Sequence, residues 1–256
     1  MKRFIWLGVL LILIGGCKEV EPTQTEIRIS AASSLSSSLS QIVEKFTEEY
    51  PDITVTSNYG GSGTLRKQVE HGVPVDLVFL ASEKDFELLM EKGTIEKGRV
   101  FVENRLAVIK HRGFSKETLL DYINTDGKLA IGTPEAVPAG TYAIEALKGK
   151  GLDDKLTGRI VYTKDVQQVK MIVKEGTIPF GIVYLSDTIG EDGIELVEEI
   201  DPQLHSPIVY TIGIVKQEET NTKRERAIEN FYRFVTAKTA MDVFVENGFL
   251  PINQGE

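Results

Sequence analysis

One cysteine, three histidines and one tryptophan are all that the 256 residues carry of these types. A lone cysteine cannot close an intramolecular disulfide, and it rules out a cysteine-based zinc centre. His71, His111 and His205 have no metal-ligand spacing and no catalytic setting, and read as surface or turn residues. Basic residues are in deficit: 29 Lys and Arg against 38 Asp and Glu leave a net charge of −9. Nucleic-acid binding needs a basic face, so nucleic acid is not an expected partner. The Walker phosphate loop and the GxGxxG dinucleotide fingerprint are absent. Gly60-Gly61-Ser62-Gly63-Thr64 misses the last glycine of the Gly-x-Ser-x-Gly nucleophile elbow. Acid pairs such as Glu48-Glu49 and Glu198-Glu199 suit solvated faces better than catalytic dyads. These absences point away from an enzyme and away from a resident cofactor. What remains is ordinary globular composition, 41% apolar and 26% charged, enough for one large or two small domains.

Long apolar runs are also scarce. One stretch, Phe4 to Ile14, is almost wholly apolar, and it is too short for a comfortable membrane span. Met1-Lys2-Arg3 before it and Gly15-Gly16-Cys17 after it complete the basic, apolar, small-residue order of a secretory signal peptide. Ile14-Gly15-Gly16-Cys17 resembles a bacterial lipobox, which places the only cysteine where lipidation needs it. Residues 1–16 are therefore expected to be a signal peptide, and residues 17–25 a lipidated Cys17 followed by a polar tether. Loss of Lys2 and Arg3 leaves 27 bases against 38 acids, a net −11. The mature protein is expected to be extracytoplasmic and anchored to the cell membrane by its N-terminal lipid.

Downstream, strand and helix patterns alternate. Ile27, Ile29 and Ala31 repeat every second residue as in a strand, and Leu39, Ile42, Val43 and Phe46 mark an amphipathic helix that Tyr50-Pro51 stops. Further strands are read at Ile53–Ser57, Val75–Ala81, Val100–Lys110, Lys128–Gly132, Arg159–Tyr162, Phe180–Leu185 and Ile208–Val215. Further helices are read at Thr64–Gly72, Thr141–Lys148, Val166–Lys174, Thr222–Ala237 and Thr239–Asn247, the last stopped by Gly248. This rhythm predicts an α/β class with mostly parallel sheets flanked by helices, in two lobes.

Four of the helices begin alike. Ser33-Ser34, Gly60-Gly61-Ser62-Gly63, Val137-Pro138-Ala139-Gly140 and Lys164-Asp165-Val166 are strand-to-helix turns built from small residues, hydroxyls, a Pro or an Asp cap. Such turns lie at the carboxyl edge of parallel strands, where ligands bind. Helix starts offer unpaired N–H groups and partial positive charge, so several aimed at one point would hold an anion without Lys or Arg. Taken singly, each has a plainer reading: Ser34, Ser62 and Asp165 as caps, Tyr184 as a packed ring with its hydroxyl at the surface.

Taken together, these turns resemble the molybdate-binding proteins of bacterial ABC importers, a class II periplasmic-type solute receptor, here in lipoprotein form. The resemblance runs from about Glu26 to about Ile252 through Ala31-Ala32-Ser33-Ser34-Leu35, Ser62-Gly63-Thr64-Leu65, Gly72-Val73-Pro74-Val75-Asp76-Leu77, Pro134 to Ala143, Asp165-Val166 and Gly181 to Asp187. It implies a two-lobed fold with the ligand cleft between lobes: residues 26–105 plus 209–256 in lobe 1 and 106–208 in lobe 2. It also implies an oxyanion site of Ser34, Ser62, the N–H groups of Ala139 and Val166 and the Tyr184 hydroxyl, with Ser33 as the alternative first serine. The implied ligand is molybdate or tungstate, held with no direct metal-cation ligands, and the implied partner is an ABC permease, the receptor itself acting as a monomer. The Gly-Gly-Ser-Gly loop departs from relatives with a run of serines and leaves open what flanks Ser62. Arg66, just past it, would suit a carboxylate ligand but reads as a helix-surface residue.

Overall fold

The computed structural model describes residues 24–217 and 221–252. The predicted signal peptide, Cys17 and most of the tether lie outside the described residues. The chain opens with β1 (Thr25–Ala32), whose Ile27, Ile29 and Ala31 are buried as the alternation predicts. A single 3-10 turn over Ser33–Leu35 leads into α1 (Ser36–Glu49), which buries Leu39, Ile42 and Phe46 and ends at Tyr50 before Pro51. Next come β2 (Ile53–Gly60), α2 (Ser62–Glu70) and β3 (Leu77–Leu80), the last buried along its whole length. The Ser82 hydroxyl then caps α3 (Glu83–Glu91) by accepting from Asp85 N.

Then β4 (Ile95–Glu103) and β5 (Leu106–His111) occupy the span read as one strand. Asn104 and Arg105 break it, because here the chain leaves one sheet and enters another. The second sheet's segment continues through α4 (Leu119–Ile123), β6 (Leu129–Gly132), α5 (Pro138–Gly149), β7 (Ile160–Thr163), α6 (Val166–Lys174), β8 (Phe180–Tyr184) and β9 (Ile194–Glu199). The chain returns through β10 (Val209–Val215) and closes with α7 (Thr222–Val235), α8 (Lys238–Glu246) and the short β11 (Leu250–Pro251).

The strands make two sheets, ordered β11-β4-β10-β3-β1-β2 and β7-β6-β8-β5-β9. They are mixed rather than mostly parallel. β1 is parallel to β2 and β3, and β6 to β7 and β8, while β10 and β5 run antiparallel to both of their neighbours. The reason is topological. A chain that crosses to a second sheet and comes back inserts strands running the opposite way, which local periodicity does not report.

Helices cover the sheets, and one apolar core runs through both, including Phe46, Phe79, Phe101, Phe180 and Phe231. Burying each such side chain contributes about 1.5–3 kcal/mol. The parallel strands β1, β2, β6 and β7 aim their carboxyl ends at one place, so the turns after them share an edge. At one of these turns a side chain is impossible: a Cβ on Gly140 would collide with the Gly132 carbonyl, so the start of α5 rests directly on the end of β6.

Candidate functional site

A small hollow, with about 190 Å³ of space free of atoms, lies between the two sheets at these strand ends. Its walls are Ala32 to Ser34 after β1, Gly60 to Ser62 after β2, Ala81 after β3, Val137-Pro138 before α5, Val166 at the start of α6, and Tyr184 at the end of β8. None of these residues is charged. Four of the five residues expected from the sequence line the hollow: Ser34, Ser62, Val166 and Tyr184. Ala139 follows the lining Pro138 and is fully buried. Ser33 also lines the hollow, and its carbonyl accepts from Gln167 Nε2.

Each group is prepared by its neighbours. Ser62 is the first residue of α2, and its Oγ accepts from Ala81 N at 2.9 Å. One lone pair of Ser62 is thus occupied, and its own O–H is free to donate into the hollow. Ser34 Oγ lies 2.8 Å from the hydroxyl of Tyr210, a residue that sequence reasoning missed. Asp165 caps α6 by accepting from Gln168 N, which leaves the Val166 N–H as the first donor of that helix. Ala139, second in α5 after Pro138, is in the same position. Neither N–H has an acceptor among the described residues, as the geometry of helix starts requires. The Tyr184 hydroxyl is buried and likewise has no partner among the described residues. Burial, with Tyr210 beside it, pushes its pKa well above the ordinary phenol range, so the proton stays in place to be donated.

The two sheets touch around the hollow through backbone. Gly63 N donates to Ala136 O at 3.1 Å, and a Cβ on Gly61 or Gly63 would collide with the carbonyls of Ala136 or Glu135. The glycines flanking Ser62 therefore admit the opposing turn, which answers the question that loop raised. Gln167 Nε2 adds a second tie, donating to Ser33 O at 3.3 Å and to Asp187 Oδ1 at 2.7 Å. Arg66 is engaged elsewhere, with Asp85 at 2.7 Å and with Glu70. A much larger cleft opens beside the hollow, but its charged lining is five acids, Glu83, Asp85, Glu87, Glu135 and Glu145, against Arg66 and Lys84, and Arg66 is already paired with Asp85 and Glu70, so the cleft is net acidic. The histidines are elsewhere: His71 is exposed, and His111 and His205 face the carbonyls of Lys174 and Ser206. Among the described residues, no group of His, Cys, Asp and Glu is arranged to hold a metal ion.

A small hollow of uncharged donors, set between two sheets joined by crossing strands, is equipped to hold a solute. The chain belongs to the bacterial extracellular solute-binding protein family, whose model matches residues 27–250. It is a solute-binding protein and not an enzyme. A Bacillus subtilis (strain 168) protein with the provisional name ABC transporter substrate-binding lipoprotein YvgL is 36% identical over 97% of this chain and 98% of that one. The molybdate-binding protein ModA of Haemophilus influenzae is 31% identical over 97% of this chain and 99% of its own. The periplasmic molybdate-binding protein of Azotobacter vinelandii has the same fold, with a TM-score of 0.77 at 22% identity over 88% of this chain and 98% of its own.

Directly behind Tyr184 lies Asp187. Its carboxylate accepts from Tyr184 N at 3.1 Å as well as from Gln167. Burial raises its pKa to about 7, with Lys170 opposing the shift. An unfolded Asp titrates near ~3.9. The folded protein therefore holds this proton more tightly than the unfolded chain, and the contribution of Asp187 to stability falls as pH rises from about 4 to about 7, then levels. Urea unfolding of the ligand-free protein at pH 5, 6, 7 and 8 checks this. Asp187→Asn is expected to flatten the decline between pH 5 and 7, and an unchanged slope would show that Asp187 is already ionised at pH 5.

Proposed function

We propose that this protein captures molybdate, or tungstate of nearly the same size and charge, outside the cytoplasm and delivers it to the permease of an ABC importer. The observation that carries this reading is the Tyr184 hydroxyl: a buried donor without a partner, in a hollow that also takes Ser34 and Ser62 and has no charged wall. A buried polar group left unpaired costs about 1–3 kcal/mol, so an acceptor belongs beside it. Molybdate is a dianion with four acceptor oxygens and no proton near neutral pH. Five uncharged donors, Ser34, Ser62, Ala139 N, Val166 N and Tyr184, match that chemistry. Neutral donors avoid the desolvation cost of a buried ion pair. They also leave monohydrogen phosphate with an O–H that meets no acceptor, while sulfate is disfavoured by its smaller size.

In this mechanism residues 26–105 with 209–256 form lobe 1 and residues 106–208 form lobe 2. Ser34 and Ser62 come from the first, Ala139, Val166 and Tyr184 from the second. An anion that bonds to both lobes favours the closed state, and the permease reads closure. Cys17 carries a lipid that keeps the receptor, a monomer, at the membrane. At a net −11 the surface repels a dianion at long range, so attraction is local to the hollow.

Isothermal titration should give one molybdate per chain, with a melting temperature raised by molybdate and tungstate and little changed by sulfate or phosphate at equal concentration. Equal stabilisation by sulfate would end the size argument. Tyr184→Phe removes one hydrogen bond to a charged ligand and should cost about 1.5–3 kcal/mol, or roughly 10- to 150-fold in affinity. An unchanged affinity would take Tyr184 out of the site. For the anchor, Cys17→Ser should move the protein from the membrane fraction to the medium, and retention in the membrane would contradict lipidation.

A further inference from the structure

We infer that Tyr210 and Asn104 are positioning residues that bias the direction of the Ser34 hydroxyl, so that Ser34 presents its hydrogen to the hollow and the site disfavours anions that carry a proton. This deepens the function proposed above and rests on it. At the first crossing between the sheets one donor is fixed by its chemistry. Arg105 N is a backbone N–H, and it lies 2.8 Å from Asn104 Oδ1. The Asn104 carbonyl oxygen must therefore face Arg105, and its amide nitrogen must face the other way. That nitrogen reaches Ser186 Oγ at 2.8 Å and Tyr210 Oη at 3.4 Å. Tyr210 thus receives a hydrogen from Asn104, and of the two directions open to its 2.8 Å contact with Ser34 Oγ the inference assigns the one in which Tyr210 donates.

The direction then propagates. Ser34 Oγ accepts from Tyr210, and its O–H turns to the hollow that Ser34 lines. Ser62 reaches the same state by a shorter route, since Ala81 N occupies its lone pair directly. Both serines become donors by construction, one from a backbone N–H and the other from a chain of side chains running back to a backbone N–H. Tyr210 has little freedom to break the chain. It is fully buried, packed edge-on against Tyr184 at 5.8 Å and Phe249 at 5.2 Å between ring centroids. Burial also pushes its phenol pKa far upward, so the hydrogen remains available.

A serine whose hydrogen could swing away would present a lone pair and accept the O–H of monohydrogen phosphate. The proposal therefore concerns selectivity as well as affinity, and selectivity separates it from a structural role. Competition titrations with molybdate, sulfate and phosphate at pH 8 on the full chain and two variants test it. Sulfate and molybdate carry no proton and monohydrogen phosphate carries one, while all three are dianions at that pH.

Tyr210→Phe keeps the ring and removes the relay. Asn104→Asp keeps the shape but puts an acceptor where the amide donated, which draws the Tyr210 hydrogen away from Ser34. The expected result is a fall in molybdate affinity of about fivefold or more in each variant. The molybdate-to-phosphate affinity ratio should shrink, more in Asn104→Asp, while the molybdate-to-sulfate ratio holds. Should all three affinities fall together with both ratios unchanged, Tyr210 and Asn104 are only structural and the proposal is wrong. A folded Tyr210→Phe protein that binds none of the ions also counts against it, because all five donors remain and only the direction of Ser34 is released. If the unaltered protein binds no molybdate, the functional reading has failed, and this inference falls with it.

Discussion

A hydroxyl buried without a partner is the constraint around which this molecule is arranged. The Tyr184 phenol sits at the end of a fully buried strand, with nothing among the described residues to accept its hydrogen. Two helix-start N–H groups, at Ala139 and Val166, share that condition. Their common cost, about 1–3 kcal/mol for each buried unpaired donor, is recovered only when an acceptor enters. The fold sustains this because each donor stands on rigid scaffolding. Pro138 and Asp165 start the helices, and glycines let α5 rest on β6. The Tyr184 backbone is tied to Asp187. Charge is kept out of the hollow, and on the proposed reading the ligand is an anion able to accept from several directions at once.

Much of this was legible because helix starts are local chemistry. Asp165, Pro138 and the Gly60-Gly61-Ser62-Gly63 turn announce their roles within a few residues, and the hollow is lined by those same turns. The near-continuous apolar run after Pro74 became the buried strand β3. What escaped was set by distance or by sparse patterning. Tyr210 touches Ser34 across 176 positions, and nothing near either residue signals it. Val100 to Lys110 reads as one strand because apolar residues continue on both sides of Asn104-Arg105, and only the separation of the sheets shows the break. The α3 helix buries only Phe86 and Leu89, and β9 is an acid-rich edge strand, so neither carries a strong period. The sheets' mixed character came from the return of the chain, which no window of sequence contains.

The contacts that cross between the sheets link the site to motion. Gly63 N to Ala136 O and Gln167 to Ser33 O hold the two sides together at the rim of the hollow. A hydrogen bond of this kind contributes only about 0.5–1.5 kcal/mol net. On the proposed reading that modest strength is functional. A ligand that adds bonds to both sides tips the balance toward closure, and its loss at the permease lets the rim part. The two crossings between sheets also carry Asn104 and Tyr210, so the segments about which the lobes would move are the ones that orient Ser34.

The central claim is that a doubly charged anion is held here by neutral hydrogens alone. A crystal structure of the protein grown with molybdate tests it most directly. The account predicts one tetrahedral ion in the hollow, with its oxygens at about 2.7–3.1 Å from Ser34 Oγ, Ser62 Oγ, Ala139 N, Val166 N and Tyr184 Oη and no Lys or Arg against it. An ion seated in the acidic cleft beside the hollow, or one held by a cationic side chain, would contradict it.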